Sequence, residues 1–173
     1  DMEPGPQEVL GELLLTIDQY DLYGKVAYPK HHSAEDVSIL YRLAAQSRGV
    51  FINPALTEPF GLTLIEAAAC GLPIVATEDG GPRDILRNCA NGYLVNPLDR
   101  NDITDKLLRI LMQPEEWSVF ATSGLSGVRQ HYSWQAHAEK YLDAVTPLLT
   151  PTTHLLPAQT RRRKQLHQDR ILC

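Results

Sequence analysis

"ALTEPFGLTLIEAAACGLPIVAT", residues 55–77, combines a glycine-centred loop, an alanine-rich stretch and an apolar run. The alanine-rich stretch after Gly61 predicts a helix, and Gly71 is a typical residue at which a helix ends. The run "LPIVAT" is apolar throughout instead of alternating, which is typical of a parallel strand covered on both faces. The stretch "GVFINPA" before the loop has the same character. Together these segments predict a strand–loop–helix–strand unit.

The rest of the chain continues this alternation. Apolar spacing, caps and breakers predict further helices over residues 7–20, 33–48, 82–88, 101–112, 114–130 and 134–149. Short apolar runs predict further strands over residues 25–29 and 92–97. In the last helix, Trp134, Tyr141, Leu142 and Val145 are expected to form the packing face. Strands that alternate with helices pair in parallel, so the predicted fold is an α/β, Rossmann-like, doubly wound parallel sheet.

The composition is that of a single globular domain. The chain has 173 residues, of which 43% are hydrophobic, and no apolar run approaches the roughly 20 residues that cross a bilayer. Its three cysteines form no CxxC pair and no zinc-ligand spacing, so we expect reduced thiols, a cytoplasmic location and no metal. The chain begins with Asp1 instead of Met, from which we expect a domain truncated at its N-terminal end.

Charge divides the chain into two parts. Residues 150–173 carry five basic side chains and one acidic side chain, whereas residues 1–149 carry eleven and twenty; the net charges of +4 and −9 sum to −5. We interpret residues 1–149 as the folded domain and residues 150–173 as a basic linker. The acidic body argues against a nucleic-acid-binding domain, for which a basic face is expected.

The loop at the start of the central helix has the features of a phosphate site. A helix N-terminus offers unpaired N–H groups and a partial positive charge, Gly61 leaves room beside it, and Thr63 adds a hydroxyl. A carboxylate close to a phosphate needs another partner, and vicinal diols of sugars are a suitable one. Glu66 could therefore bind a ribose, and Glu58 a sugar at the opposite end of a diphosphate. The spacing equally allows a solvated loop acid at Glu58 and a dipole-favoured helix acid at Glu66.

The motif "EPFGLTLIE" resembles the donor domain of the retaining glycosyltransferases of the two-Rossmann-domain (GT-B) architecture, which carries two glutamates separated by seven residues. "GLPIVATEDGGPRDIL" and "NGYLVNPLD" continue the resemblance. Within that family, "DLYGKVAYPKHH" and the stretch to Thr77 are similar to the sucrose-phosphate synthases. The resemblance covers about residues 18–149. It implies the C-terminal donor domain of an enzyme that transfers glucose from UDP-glucose to fructose 6-phosphate.

The resemblance also implies a role for each site residue. Glu66 would hold the ribose of UDP, and Glu58 would contact the glucose hydroxyls as the catalytic residue. The diphosphate and the anomeric region would meet the backbone amides of Phe60, Gly61, Leu62 and Thr63. The loop over residues 28–32 would lie against the uracil, with His31 at its edge. UDP-glucose is then a substrate, and no cofactor is expected.

Several parts of such an enzyme lie outside the matching stretch. The family places an Arg and a Lys earlier in the donor domain and binds the acceptor in a separate N-terminal domain, which would be the partner of this chain. We therefore expect this chain alone to bind nucleotide weakly and to be inactive. The basic linker would approach a possible downstream phosphatase domain. The residues leave three alternatives open: sucrose synthase, a mannosylfructose-phosphate synthase using GDP-mannose, and a non-catalytic nucleotide-sugar-binding module.

Overall fold

The computed structural model describes residues 5–149, which contain seven helices and three strands. The helices are α1 (Pro6–Gln19), α2 (Ala34–Gln46), α3 (Leu62–Ala69), α4 (Pro82–Cys89), α5 (Arg100–Met112), α6 (Pro114–His131) and α7 (Trp134–Leu149). The strands are β1 (Phe51–Asn53), β2 (Ile74–Thr77) and β3 (Gly92–Val95). The proposed linker over residues 150–173 lies outside the described residues.

The three strands form one parallel sheet in the order β1-β2-β3. Ile52 pairs with Val75, and Val75 pairs with Tyr93, so β2 is the central strand. Every residue of β2 is buried. The apolar, non-alternating pattern of residues 72–77 is explained by this position, because a central parallel strand is covered on both faces.

Helices cover both faces of the sheet. On one face, Ile74 and Ala76 of β2 pack with α3 and α4 through residues such as Leu64 and Ile85. On the other face, Val75 packs with Ile110 of α5 and with half-buried aromatic residues of α6. The predicted α/β architecture with a parallel sheet is confirmed. Among the described strands the order is sequential, without a reversal.

Local sequence accounts for where the helices begin. At α2, the Ser33 hydroxyl accepts from the Asp36 amide and the Asp36 carboxylate accepts from the Ser33 amide, which together form a capping box. At α5, the Asp99 carboxylate accepts from the amides of Asn101 and Asp102. Before α3, Gly61 is left-handed with φ of 91°, and a Cβ there would lie 2.9 Å from Cδ1 of Ile85. This position therefore favours glycine both for its backbone conformation and for the space beside Ile85.

Two expectations from the sequence were wrong. Residues 25–29 form no strand; Val26 and Tyr28 instead lie beside α1 in a small cavity with Leu14 and Ile17. A strand needs a neighbouring strand for its backbone hydrogen bonds, and none of the described strands pairs with this segment. Three of the four residues expected to form the packing face of α7 are exposed, with Trp134 86% accessible. Val145 is half-buried, and the buried residue of that helix is Ala136.

Candidate functional site

The loops that leave β1 and β2 lie side by side at the carboxyl edge of the sheet. The Glu58 amide donates to the Asp79 carbonyl at 3.3 Å, and the Gly81 amide donates to the Glu58 carbonyl at 2.8 Å. The Thr57 hydroxyl donates to the Asp79 carboxylate at 2.8 Å. A Cβ at Gly80 would overlap the Glu58 backbone oxygen, so the two loops approach more closely than any other residue at this position would allow. Glu58 is thereby held at its backbone.

The Glu58 carboxylate is held as well, at both of its oxygens. Oε1 accepts from the Gly61 amide at 2.9 Å and from the Phe60 amide at 3.4 Å. Oε2 accepts from Nδ2 of Asn53 at 3.0 Å. Glu58 therefore caps the turn that leads into α3, and two of the four amides predicted to face a diphosphate already have a protein acceptor.

The first turn of α3 presents the other two predicted amides. Within the part of the chain that the structure describes, no acceptor meets the backbone N–H groups of Leu62 and Thr63. Helices leave such first-turn N–H groups unpaired, and with the helix dipole they attract anions. The side chains of Phe60 and Leu62 beside them are about 60% accessible. This end of α3 can accept a phosphate from solvent.

A cavity of about 360 Å³ lies between α2 and the start of α3. Its lining residues are Pro29, His32, Val37, Leu40, Tyr41, Thr63 and Glu66. Glu66 thus shares a concave surface with Thr63 and with Pro29 and His32 of the loop over residues 28–32. Both histidines of this loop are exposed; His32 lines the cavity, and the predicted His31 does not.

A second cavity of about 370 Å³ adjoins the first and shares Val37, Tyr41 and Glu66 with it. Tyr41 is half-buried between the two and packs edge-on against Phe51, with 5.6 Å between ring centroids. Burial raises the pKa of Tyr41, and the nearby Glu66 carboxylate adds to that increase. Tyr41 therefore remains a neutral hydroxyl at the wall of the cleft, where it can donate or accept a hydrogen bond.

Three residues of the candidate site were not predicted from the sequence. Asn53 is the last residue of β1 and Asp79 follows β2; both organise the Glu58 loop, and Tyr41 faces the cleft from α2. Asparagine and aspartate after parallel strands were a usable signal, because ligand sites in such sheets lie beyond the carboxyl ends of the strands. Tyr41 gave no sequence signal, since its spacing in α2 is that of a core residue.

Metal-ligating residues are not grouped at this site. Within residues 5–149, no cluster of three or more His, Cys, Asp or Glu side chains could hold a metal ion. Over the same residues, none of the helices combines the length and the apolar character that a membrane span requires.

Comparison with protein families identifies the fold. Residues 5–124 match the family model described as glycosyl transferases group 1. The chain belongs to this family. The motif "EPFGLTLIE" and the cleft beside it lie inside the matched range.

Named relatives of this group 1 domain are sucrose-phosphate synthases. The chain is 54% identical over 145 residues to probable sucrose-phosphate synthase 5 of Oryza sativa subsp. japonica and 52% identical over 146 residues to sucrose-phosphate synthase 1 of Arabidopsis thaliana. Each match covers 84% of this chain and 14% of the relative. The chain therefore spans about one seventh of the length of the curated relatives that it matches.

Solved structures show the same group 1 fold. Sucrose-phosphate synthase from Thermosynechococcus elongatus has a TM-score of 0.67 and 28% identity, with 83% of this chain and 36% of that chain covered. Anabaena Alr3699/HepE, solved in complex with UDP-glucose, has a TM-score of 0.66 and 20% identity, with 83% and 38% covered. The likeness to Alr3699/HepE, at 20% identity, shows a shared fold. The likeness to the Thermosynechococcus elongatus structure connects that fold with sucrose-phosphate synthases, to which the sequence relatives also belong.

Proposed function

We propose that this chain binds the donor of a retaining glycosyltransferase that transfers glucose from UDP-glucose to fructose 6-phosphate and forms sucrose 6-phosphate. The observation that carries the proposal is the cleft between α2 and α3. It combines Glu66, Thr63 and the loop over residues 28–32 beside the unpaired amides at the start of α3. The identity of 54% to a named sucrose-phosphate synthase supports this particular transfer.

The nucleotide half of the donor fits the cleft in one direction. The amides of Leu62 and Thr63 would take the diphosphate, and the Glu66 carboxylate, one turn further along α3, would accept from the ribose hydroxyls. The loop over residues 28–32 would then face the uracil. In this loop we add His32 to the predicted His31, because His32 lines the cavity.

The sugar half of the donor would lie on the other side of the amides, towards Glu58. Its carboxylate is fixed by Gly61 and Asn53, so it could accept from glucose hydroxyls without a change of rotamer. In the reaction, the bond between the anomeric carbon and the UDP oxygen breaks, and a bond to the acceptor hydroxyl oxygen forms on the same face. This chain would contribute by positioning the donor and by stabilising charge on the departing diphosphate.

The complete reaction needs an acceptor site, which we assign to an N-terminal domain of the same polypeptide. The chain alone is then expected to bind UDP weakly and not to transfer glucose. We further propose a cytoplasmic enzyme without a cofactor. A GDP-mannose-dependent relative and a non-catalytic binding module remain the alternatives that an experiment must separate.

The proposal is tested by replacing Glu66 in the full-length protein. Glu66→Gln should raise KM for UDP-glucose about 10- to 100-fold, because a hydrogen bond to a charged group is worth about 1.5–3 kcal/mol. The matched control is Glu115→Gln, which removes an exposed glutamate at the start of α6 and should keep the wild-type KM. The assay measures sucrose 6-phosphate from fructose 6-phosphate with UDP-glucose or GDP-mannose.

Each outcome of this assay separates the proposal from one of its alternatives. Faster transfer from GDP-mannose would identify the mannosyl relative instead. Absence of transfer from either donor by the wild-type protein would favour the non-catalytic module. A wild-type KM in Glu66→Gln would refute the assignment of Glu66 to the ribose.

A further inference from the structure

Asn53 is the last residue of β1, at the edge of the sheet where the Glu58 loop begins. Its side chain is half-buried, and both of its polar atoms are bonded. Oδ1 accepts from the Ala55 amide at 3.1 Å, and Nδ2 donates to Oε2 of Glu58 at 3.0 Å. Pro54 has no N–H, so the Ala55 amide is the first donor available after the strand.

These two bonds determine which way the amide group of Asn53 points. The Ala55 N–H can only donate, so it must face the oxygen of the Asn53 side chain, and the NH₂ group then faces Glu58. The opposite orientation would place two donors together at Ala55 and two acceptors together at Glu58. The orientation thus follows from the hydrogen-bonding network on both sides.

The hydrogen bond from Asn53 fixes the orientation of the Glu58 carboxylate, which the backbone amides alone do not fix. The amides of Gly61 and Phe60 hold Oε1, which leaves the carboxylate free to turn about its own chain. Among the described residues, Asn53 is the side chain that bonds to Oε2. It therefore sets the plane of the carboxylate and the direction of its remaining lone pairs.

We propose that Asn53 is a positioning residue that orients Glu58 towards the sugar of the bound donor. This inference rests on the proposed function, in which Glu58 contacts the glucose hydroxyls. Asn53 itself would act through Glu58 and not touch the donor. An error of about 1 Å in the position of such a group can lower a rate about 100-fold, so the expected effect is on kcat.

The first test is Asn53→Ala in the full-length enzyme. We expect kcat to fall about 10- to 100-fold while KM for UDP-glucose changes less than about threefold, because the nucleotide contacts at Glu66 and Thr63 stay in place. A kcat within twofold of the wild type would overturn the inference.

The second test is Asn53→Asp, which keeps the oxygen that accepts from Ala55 but places a carboxylate about 3 Å from Glu58. Two carboxylates at that distance do not both stay ionised, so the pair takes up a proton as the pH falls. The shared proton restores a hydrogen bond to Glu58. We expect kcat of the variant, divided by kcat of the wild type, to rise roughly tenfold from pH 8 to pH 5.5.

Dividing the kcat of the variant by that of the wild type cancels the effect of neighbouring groups that titrate in both proteins. In the β2–α4 loop that pairs with Glu58, the charged groups are Asp79, which accepts from Thr57, and Glu78, whose carbonyl accepts from the Arg83 guanidinium of α4. All of them are unchanged in the variant. The matched control is Asn88→Asp, at a half-buried asparagine whose Nδ2 donates to the Tyr132 hydroxyl at 2.9 Å, and its ratio should stay flat with pH.

The outcomes separate this inference from the proposed function. If the wild-type enzyme transfers no glucose from UDP-glucose, the proposed function and the inference both fall. If the wild type is active and the Asn53→Asp ratio is flat between pH 8 and pH 5.5, the inference alone falls. A rising ratio for Asn53→Asp with a flat ratio for Asn88→Asp supports the inference. A purely structural loss would instead lower the kcat of the variant by the same factor at every pH.

Discussion

At the scale of single residues, Glu58 is held more closely than the alternative of a solvated loop acid would require. Its carboxylate caps the entrance to α3 through the Gly61 amide and is oriented by Asn53, while its backbone is paired with the β2–α4 loop. A capping carboxylate and a donor-binding carboxylate are compatible, because each oxygen accepts more than one hydrogen bond. The motif predicted the position of this acid. Its backbone partners, Asp79 and Gly81, lie in a loop about 20 residues further along the chain, and no local pattern predicts that contact.

Gly80 is the residue that lets those loops meet. It has φ of 90°, and a Cβ there would overlap the Glu58 backbone oxygen. Gly80→Ala should therefore lower the free energy of unfolding by at least about 2 kcal/mol, because it adds left-handed strain and forces the loops apart. The measurement is urea unfolding followed by circular dichroism.

The control for this substitution is Gly11→Ala, within α1, where an added Cβ meets nothing within 4 Å. A helix-interior alanine in open space should raise stability by about 0.5–1 kcal/mol, the opposite sign. Equal stability of Gly80→Ala and the wild type would show that the loop contact does not constrain Glu58.

At the scale of secondary-structure elements, helices were more predictable than strands. The capping residues Ser33 and Asp99 lie within a few positions of the amides that they bind, so local sequence is sufficient. The segment over residues 25–29 has the composition of a strand but no strand beside it, and its apolar side chains pack on α1 instead. Strand formation depends on a neighbouring strand from elsewhere in the chain, and no local pattern predicts whether that neighbour is present.

Three elements meet at a polar cluster on the other side of the sheet. The Tyr93 hydroxyl of β3 donates to Oε1 of Glu116 at 2.6 Å, and Arg109 of α5 donates to both oxygens of Glu116 at 3.1 and 3.2 Å. Burial, together with the bond to Glu116, raises the pKa of Tyr93 to about 12. The Tyr93 hydroxyl, followed by Arg109, holds the pKa of Glu116 below its ordinary value of 4.5.

This cluster predicts a pH dependence of stability. A carboxyl whose pKa is lowered by folding stabilises the fold at pH values above its ordinary pKa. That contribution is lost as the pH falls through the pKa of the folded state. Glu116→Gln should therefore be less stable than the wild type at pH 7, and the difference should shrink below pH 4.5. Urea midpoints at pH 7 and pH 3.5 measure it, with Glu115→Gln as the exposed control one position away. A difference that stays constant or grows at pH 3.5 would contradict this account of α5, α6 and β3.

At the scale of the whole molecule, the sequence motif indicated the fold and the family, and the fold brings the residues of the candidate site together. The strand–loop–helix–strand unit, the parallel sheet and the membership in the group 1 glycosyl transferases agree with what the motif indicated. The wall of the cleft formed by α2, with Tyr41 and Val37, was not predicted. It depends on how α2 packs against α3, and an apolar residue at helical spacing has the same pattern whether it faces a core or a cleft.

The central claim is that the start of α3 binds the diphosphate of UDP while Glu66 holds its ribose. Hydrogen–deuterium exchange of the full-length protein with and without UDP tests it, read at the peptides that cover residues 59–66. The amides of Leu62 and Thr63 have no acceptor among the described residues, so UDP should slow their exchange about tenfold or more. Phe60 and Gly61, already bonded to Glu58, should change less, and Glu66→Gln should remove the protection. Unchanged exchange at Leu62 and Thr63 in millimolar UDP would contradict the account.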